Sequence, residues 1–113
     1  MSLEPSLKAY AKLKGPNLSY FMQELNLKIG RTKKSSSSSS TFCGISNSKK
    51  VSKKQAEISW NPEIFTFQIT NLGRNSILVN KSELHTGCSK SLGHKSAIKI
   101  GTVCFYFILP ERS

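Results

Sequence analysis

Short runs of apolar and β-branched residues, separated by turn-forming residues, recur about every ten positions along the chain. No window of about a dozen residues shows a 3.6-residue apolar period, so the pattern favours strands over helices. This spacing is typical of an all-β sandwich or barrel. The predicted strands are residues 10–13, 20–29, 56–60, 64–70, 77–79, 97–100 and 103–109.

Two of these segments carry more specific predictions. Residues 56–60 and 64–70 flank the turn Asn61-Pro62-Glu63 and are expected to form a hairpin, with Trp60 and Phe65 as core or cross-strand partners. Residues 103–109 are apolar on both faces, which predicts a strand in the middle of a sheet covered on both sides, or one packed at a domain junction. Cys104 in this strand is interpreted as a small core residue.

Length and composition indicate one domain, residues 1–113. The Ser-rich stretch at residues 35–41 lacks an apolar anchor and is predicted to be a flexible loop. No secretory signal is recognisable at the start of the chain. The longest apolar run, at residues 103–109, is too short to span a bilayer, so no membrane partner is expected.

The charge is strongly unbalanced, with 17 Lys and Arg against 6 Glu and a formal net charge of +11. It is also local, because no acidic residue lies between Glu24 and Glu57. Such a surface should attract a partner that bears phosphate, and charge alone leaves nucleic acid, phosphopeptide and anionic lipid open. The basic residues named for this acid-free interval are Lys28, Arg31, Lys33, Lys34, Lys49, Lys50, Lys53 and Lys54.

The same composition excludes several kinds of chemistry. The chain has no Asp, so calcium loops, Walker B magnesium sites and Asp-dependent catalytic triads or dyads cannot be formed with that residue. The three cysteines lack C-x-x-C spacing, which disfavours a disulfide framework and a zinc site. We therefore expect no catalytic residues, no metal, no cofactor and no small-molecule substrate.

Three short motifs, about twenty residues apart, carry the candidate chemistry. Gly30-Arg31 closes a predicted strand, and an Arg there can bind phosphate with two parallel hydrogen bonds. Ser52-Lys53 and Gln55 precede the strand at 56–60. Arg74-Asn75-Ser76 follows the strand at 64–70 and places a cation beside a carboxamide.

Taken in order, these motifs resemble the forkhead-associated (FHA) domain, whose pattern runs from Gly-Arg, to Ser-Arg-x-His, to an Asn-Gly turn. The resemblance extends over nearly the whole chain and is most like the FHA domains of forkhead-like transcription factors and plant transcriptional activators. It implies an antiparallel β-sandwich of the SMAD/FHA-like type, with functional loops at one end that bind phosphothreonine peptides. The flanking blocks that support it are residues 9–13, 20–23, 100–101 and 105–110.

The resemblance also implies roles for individual residues. Arg31 would grip the phosphate and Ser52 would donate its hydroxyl to it. Lys53 would add positive charge or contact the peptide backbone, and Arg74 would reach the phosphate. Asn75 would hydrogen-bond the peptide main chain. Gly30 would maintain the geometry of the loop.

Three positions depart from the family pattern. Gln55 stands where a buttressing His is usual and can replace some of its hydrogen bonds. Lys53 stands where Arg is usual. Ser76 stands where Gly follows the Asn, and a turn that needed a positive φ there would be strained by the Cβ atom.

The function implied is a phosphothreonine-peptide recognition module within a nuclear transcription regulator, and the 113 residues would then be a fragment of a longer protein. Two alternatives stay open at this point. The basic loops could contact DNA or chromatin, or a degenerate pocket could leave a domain that binds a protein without phosphate through its sheet face.

Overall fold

The computed structural model describes residues 9–16, 18–32 and 42–110, in which all regular secondary structure is β-strand. Across this described part of the chain, no helix has the length and apolarity needed to cross a membrane. The strands are β1 (Ala11–Gly15), β2 (Leu18–Met22), β3 (Asn26–Arg31), β4 (Phe42–Ser46), β5 (Ala56–Asn61), β6 (Thr66–Asn71), β7 (Ile77–Val79), β8 (Ser82–Leu84), β9 (Ser89–Leu92), β10 (Ser96–Ile100) and β11 (Val103–Ile108).

The strands form two sheets. One has six strands in the order β2-β1-β11-β10-β7-β8, and the other has five in the order β4-β3-β5-β6-β9. The prediction of an all-β sandwich is confirmed. Most neighbouring strands are antiparallel, but β3 and β4 pair in parallel, so the five-stranded sheet is mixed rather than purely antiparallel.

The core lies between the sheets and is built from alternate residues of each strand. Phe67 of β6 packs edge-on against Phe107 of β11, with ring centroids 5.6 Å apart, and so joins the two sheets. Trp60 lies opposite Phe67 across the β5–β6 hairpin, 5.0 Å away, which confirms its cross-strand role. Phe65 lies in the hairpin turn and is 78% exposed, so it is not a core residue.

Several predicted strand boundaries are wrong. The segment 20–29 is broken at residues 23–25, and its halves, β2 and β3, lie in different sheets. Residues 64 and 65 belong to a turn, so β6 begins two residues later than predicted. Strands β4, β8 and β9 were not predicted, because they are short or rich in Ser and Gly and their order depends on pairing with neighbours.

Strand β11 lies in the middle of the six-stranded sheet, as predicted, but only one of its faces is covered. Phe105 and Phe107 point into the core, whereas Cys104 and Tyr106 point outward and are exposed. The expectation of cover on both faces is therefore wrong within the described chain, as is the interpretation of Cys104 as a core residue. The Ser-rich stretch at 35–41 lies outside the described residues.

Candidate functional site

Three loops meet at one end of the sandwich. Strand β3 runs antiparallel to β5, and β5 runs antiparallel to β6, so the end of β3, the start of β5 and the end of β6 lie side by side. Arg31 is the last residue of β3, Ser52 lies in the loop before β5, and Asn75 lies in the loop after β6. The sheet topology therefore brings together the three motifs that the sequence separates.

The first loop contact joins Arg31 to the segment around Ser52. The Arg31 backbone N–H donates to the Ser52 carbonyl at 3.1 Å, and its Nε donates to the Val51 carbonyl at 3.0 Å. Gly30 permits this approach, because a Cβ atom there would lie 2.0 Å from the Lys53 carbonyl oxygen. Any larger residue at position 30 would force the two loops apart.

The second contact joins the loop after β6 to the same segment. The Arg74 backbone N–H donates to the Ser52 hydroxyl oxygen at 3.3 Å. The Asn75 side chain donates through Nδ2 to the Lys50 carbonyl at 2.8 Å. Arg31 and Arg74 are thus both hydrogen-bonded to Ser52, and Asn75 is bonded to the same loop two residues earlier.

Gln55 is buried behind these loops and bonds to two of them through its side chain. Its Oε1 accepts from the Ser52 backbone N–H at 2.9 Å, while its Nε2 donates to Asn71 Oδ1 at 2.9 Å and to the Asn75 carbonyl at 3.0 Å. The Gln55 backbone also donates to the Ile29 carbonyl beside Gly30, at 2.8 Å. Gln55 therefore contacts the segments that carry all three motifs.

Asn71 is a second buried amide in this network and is not among the site residues predicted from the sequence. Its Nδ2 donates to the carbonyls of Asn75 and Leu84, both at 2.9 Å. Its Oδ1 accepts from Gln55 Nε2 at 2.9 Å and from the Gly73 N–H at 3.1 Å. A signal was present in the sequence, because the alternation that buries Phe67 and Ile69 also turns Asn71 inward.

Ser76 does not have the positive φ that would strain a residue with a Cβ atom at this position. The positive φ values at non-glycine residues in the described chain occur at Phe65, Asn80, Lys81 and Lys95. The Cβ atom of Ser76 is therefore compatible with its backbone, and its hydroxyl donates to Glu83 Oε2 at 2.7 Å. The lack of Gly after Asn75 does not prevent this loop from docking.

The cations of these loops are not neutralised by neighbouring carboxylates. Among the described residues, Lys28 forms an ion pair with Glu57 at 3.8 Å, and His85 Nε2 lies 4.0 Å from Glu83 Oε1. Neither pair includes Arg31, Lys53 or Arg74, and the latter two side chains are exposed. In the same residues no three His, Cys or Glu side chains converge in a way that could hold a metal ion. The site is suited to an anion.

Comparison with known proteins identifies the family. The FHA domain model matches residues 27–101, which include all three motifs. The chain belongs to the FHA domain family. FHA domains are protein-interaction modules.

The curated relatives are longer proteins, several of them named as transcription regulators. Fork head protein homolog 2 of Saccharomyces cerevisiae is 32% identical over 125 residues, covering 97% of this chain and 14% of that protein. The pre-rRNA-processing protein FHL1 of the same yeast is 30% identical over 109 residues, covering 96% of this chain and 12% of that protein. The transcriptional activator FHA1 of Nicotiana tabacum is 29% identical, and this chain spans 50% of its length.

Solved structures agree with the fold. The N-terminal FHA domain of Rad53p from S. cerevisiae, in complex with a phosphothreonine peptide, superimposes with a TM-score of 0.74 at 10% identity, over 89% of this chain and 94% of that one. The MEK1 FHA domain in complex with a HOP1 phosphothreonine peptide gives a TM-score of 0.71 at 16% identity, over 92% of this chain and all of that one.

Proposed function

We propose that this chain is a phosphothreonine-peptide recognition module that mediates phosphorylation-dependent protein interaction. The observation that carries the proposal is the convergence of Arg31, Ser52, Arg74 and Asn75 on one end of the sandwich, held from behind by Gln55. Two FHA domains of the same fold are known in complex with phosphothreonine peptides. The module acts by binding and not by catalysis.

Arg31 and Ser52 bind the phosphate. The Nε of Arg31 is anchored on the Val51 carbonyl, which fixes the plane of the guanidinium and presents the remaining N–H donors in a fork. The Ser52 oxygen accepts the Arg74 N–H, so its hydroxyl hydrogen is available to donate to a phosphate oxygen. Lys53 and Arg74 add positive charge at the rim.

Asn75 holds the peptide main chain beside the phosphothreonine. Its Nδ2 already donates to the Lys50 carbonyl, which sets the orientation of the amide. The Oδ1 atom and the second N–H are then directed by that bond and serve as acceptor and donor for a peptide unit.

The relatives named as transcriptional regulators or activators favour a nuclear location within a longer regulatory protein. DNA contact through the same basic loops finds no support in the comparisons. The directional bonds at Arg31 and Asn75 favour a phosphopeptide, because sequence-independent DNA binding rests on charge and needs no such arrangement.

The test is a fluorescence anisotropy titration with a phosphothreonine peptide library and its unphosphorylated counterpart. We expect Arg31→Ala to weaken phosphopeptide binding by about tenfold or more, through the loss of charged hydrogen bonds. Arg31→Lys keeps the charge and loses the fork, so it should also bind more weakly. Lys95 lies in the turn just before β10, at the end of the sandwich away from these loops. Lys95→Gln removes one charge there and should bind like wild type.

Equal binding of phosphorylated and unphosphorylated peptides by wild type would rule the proposal out. Displacement of the phosphopeptide by random-sequence duplex DNA, with a steep dependence on salt, would favour the DNA alternative instead.

A further inference from the structure

Within the described chain, the six-stranded sheet has an open outer face, which adjoins the loops described above where the Ser76 hydroxyl donates to Glu83. Residues directly opposite one another across neighbouring strands form three rows on this face. The outer face is defined by Phe21, Lys12 and Ile108 in one row, by Ser19, Lys14, Tyr106 and Ala97 in the next, and by Cys104, Lys99, Leu78 and Glu83 in the third.

This face combines apolar side chains with lysines. Tyr106 is 52% exposed at its centre, with Lys14 on one side and Ala97 on the other. Phe21 is 43% exposed at the β2 edge. The single carboxylate of the face, Glu83, lies on β8 at the opposite edge. The middle of the outer face is therefore both apolar and positively charged.

We propose that the outer face binds an acidic polypeptide segment that carries apolar side chains. Neighbouring strands are about 4.8 Å apart. An apolar side chain of the face and a nearby lysine can therefore contact the same residue of a bound peptide, or two successive residues. A segment that places Leu or Phe on Tyr106 can then place Glu or Asp beside Lys14 and Lys99. The acidic charges steer the encounter, and the apolar contact at the centre supplies the affinity.

A second copy of this chain is a poorer occupant. In a two-fold dimer through this face, two surfaces that each carry three lysines and one glutamate would face each other, and their like net charge opposes association.

Single-stranded nucleic acid is also less well matched. Such ligands stack successive bases on aromatic rings. The outer face has two aromatic rings, and a lysine, Lys12, already lies over the Phe21 ring with its Nζ 4.9 Å from the ring centroid. Tyr106 alone remains as a stacking surface, whereas Ile108, Ala97 and Leu78 are aliphatic contacts suited to a polypeptide.

The chain provides its own probe for this surface. Cys104 is exposed on the outer face, Cys88 is exposed in the loop between β8 and β9, and Cys43 is buried. Burial raises the pKa of the Cys43 thiol to about 11, so it should not react in the folded protein near neutral pH. Alkylation read by mass spectrometry therefore compares a thiol on the face with a thiol away from it in one sample.

The ligand tested is a synthetic peptide in which Glu alternates with Leu and Phe. We expect it to slow alkylation of Cys104 several-fold and to leave Cys88 unchanged. A peptide with Lys in place of Glu, and one with Ser in place of Leu and Phe, should protect neither thiol. Equal protection of Cys104 and Cys88, or protection by the Lys peptide, would overturn the proposal.

Variants of the face give an independent measurement by fluorescence anisotropy. Tyr106→Ser and the double variant Lys14→Glu/Lys99→Glu should each weaken peptide binding by about tenfold. Lys54→Glu/Lys90→Glu reverses two charges at exposed positions elsewhere, which changes the net charge by the same amount, and should change binding less than about twofold. Thermal unfolding and circular dichroism check that each variant is folded.

Two other outcomes would contradict the proposal. One is loss of binding in the Lys54/Lys90 control equal to that in the Lys14/Lys99 variant, since binding would then reflect net charge alone. The other is protection of Cys104 by an oligonucleotide or by self-association, with no effect of the acidic peptide.

Discussion

Gln55 links the candidate site to the strands beneath it. Its side chain makes three hydrogen bonds, to the Ser52 backbone, the Asn71 amide and the Asn75 carbonyl, and is almost fully buried. The Gln55 side chain is the donor in two of these bonds and the acceptor in the third. A neutral amide meets all three demands at once and carries no proton that titrates.

Gln55→Glu should therefore destabilise the protein in a pH-dependent way. The ionised carboxyl would face the oxygens of Asn71 and Asn75 without a donor, at a cost of about 2–4 kcal/mol near pH 8. Burial and these oxygens should raise the pKa of the introduced carboxyl in the folded state. The folded protein then binds a proton at a pH where the unfolded chain does not, so part of the lost stability returns as the pH falls.

Urea unfolding of this variant at about pH 8 and pH 5, each against wild type, measures the effect. Gln55→Met removes the same bonds and has no titratable group, so its deficit should be similar at both pH values. An equal deficit for Gln55→Glu at the two pH values would contradict the explanation.

Gly30 is needed because the Lys53 carbonyl lies where its Cβ atom would be. We expect Gly30→Ala to destabilise the fold by about 1–3 kcal/mol and to weaken phosphopeptide binding, since Arg31 and Ser52 would move apart. Gly93→Ala is the matched control, because a Cβ there meets no atom within 4 Å. Chemical denaturation should show a change within about 0.5 kcal/mol for the control.

Among the elements, the β5–β6 hairpin connects the candidate site to the core. Gln55 immediately precedes this hairpin and Asn71 is its last residue. Within it, Phe67 contacts Trp60 in its own sheet and Phe107 in the other. Because the hairpin is packed firmly in the sandwich, it fixes the positions of the two amides that hold the loops.

Phe67→Ala should lower the free energy of unfolding by about 3–5 kcal/mol, because it leaves a cavity where the two sheets are in contact. Phe65→Ala is the comparison within the same hairpin. Phe65 is 78% exposed and lies in the turn, so its truncation should cost less than about 1 kcal/mol. Thermal unfolding measures both variants. Similar losses would show that the inter-sheet contact of Phe67 is not what stabilises the hairpin.

For the whole molecule, the net charge of +11 is the main electrostatic fact. Charge of one sign on a small domain repels itself and lowers the stability of the folded state. A phosphorylated ligand, with about −1.5 to −2 charges, would relieve part of this repulsion at the loop end of the sandwich.

Raising the NaCl concentration from about 20 to 300 mM should therefore raise the Tm by a few degrees, through screening of the surface charges. Lys49→Gln/Lys53→Gln removes two charges and should show a higher Tm at low salt and a smaller increase. Lys49→Arg/Lys53→Arg keeps the charge and should behave as wild type does. A salt response that is the same in all three proteins would contradict this account.

The sequence alone allowed much of this structure to be predicted. Short runs of apolar and β-branched residues between turns, such as 64–70, indicated strands, and most of those strands are present. The order of Gly30-Arg31, Ser52 and Asn75 indicated the family, which is confirmed. These features are local or ordered along the chain, and they can be read without knowing which strands are neighbours. The roles of those residues in binding remain predictions.

Tertiary structure decided what depends on distant partners. It split residues 20–29 between two sheets, paired β3 with β4 in parallel, and left Tyr106 and Cys104 exposed on an apolar strand. It also made Asn71 a fully bonded buried amide. A side chain's periodicity is set by its own strand, but its burial and hydrogen-bond partners are set by whichever strand or loop packs against it.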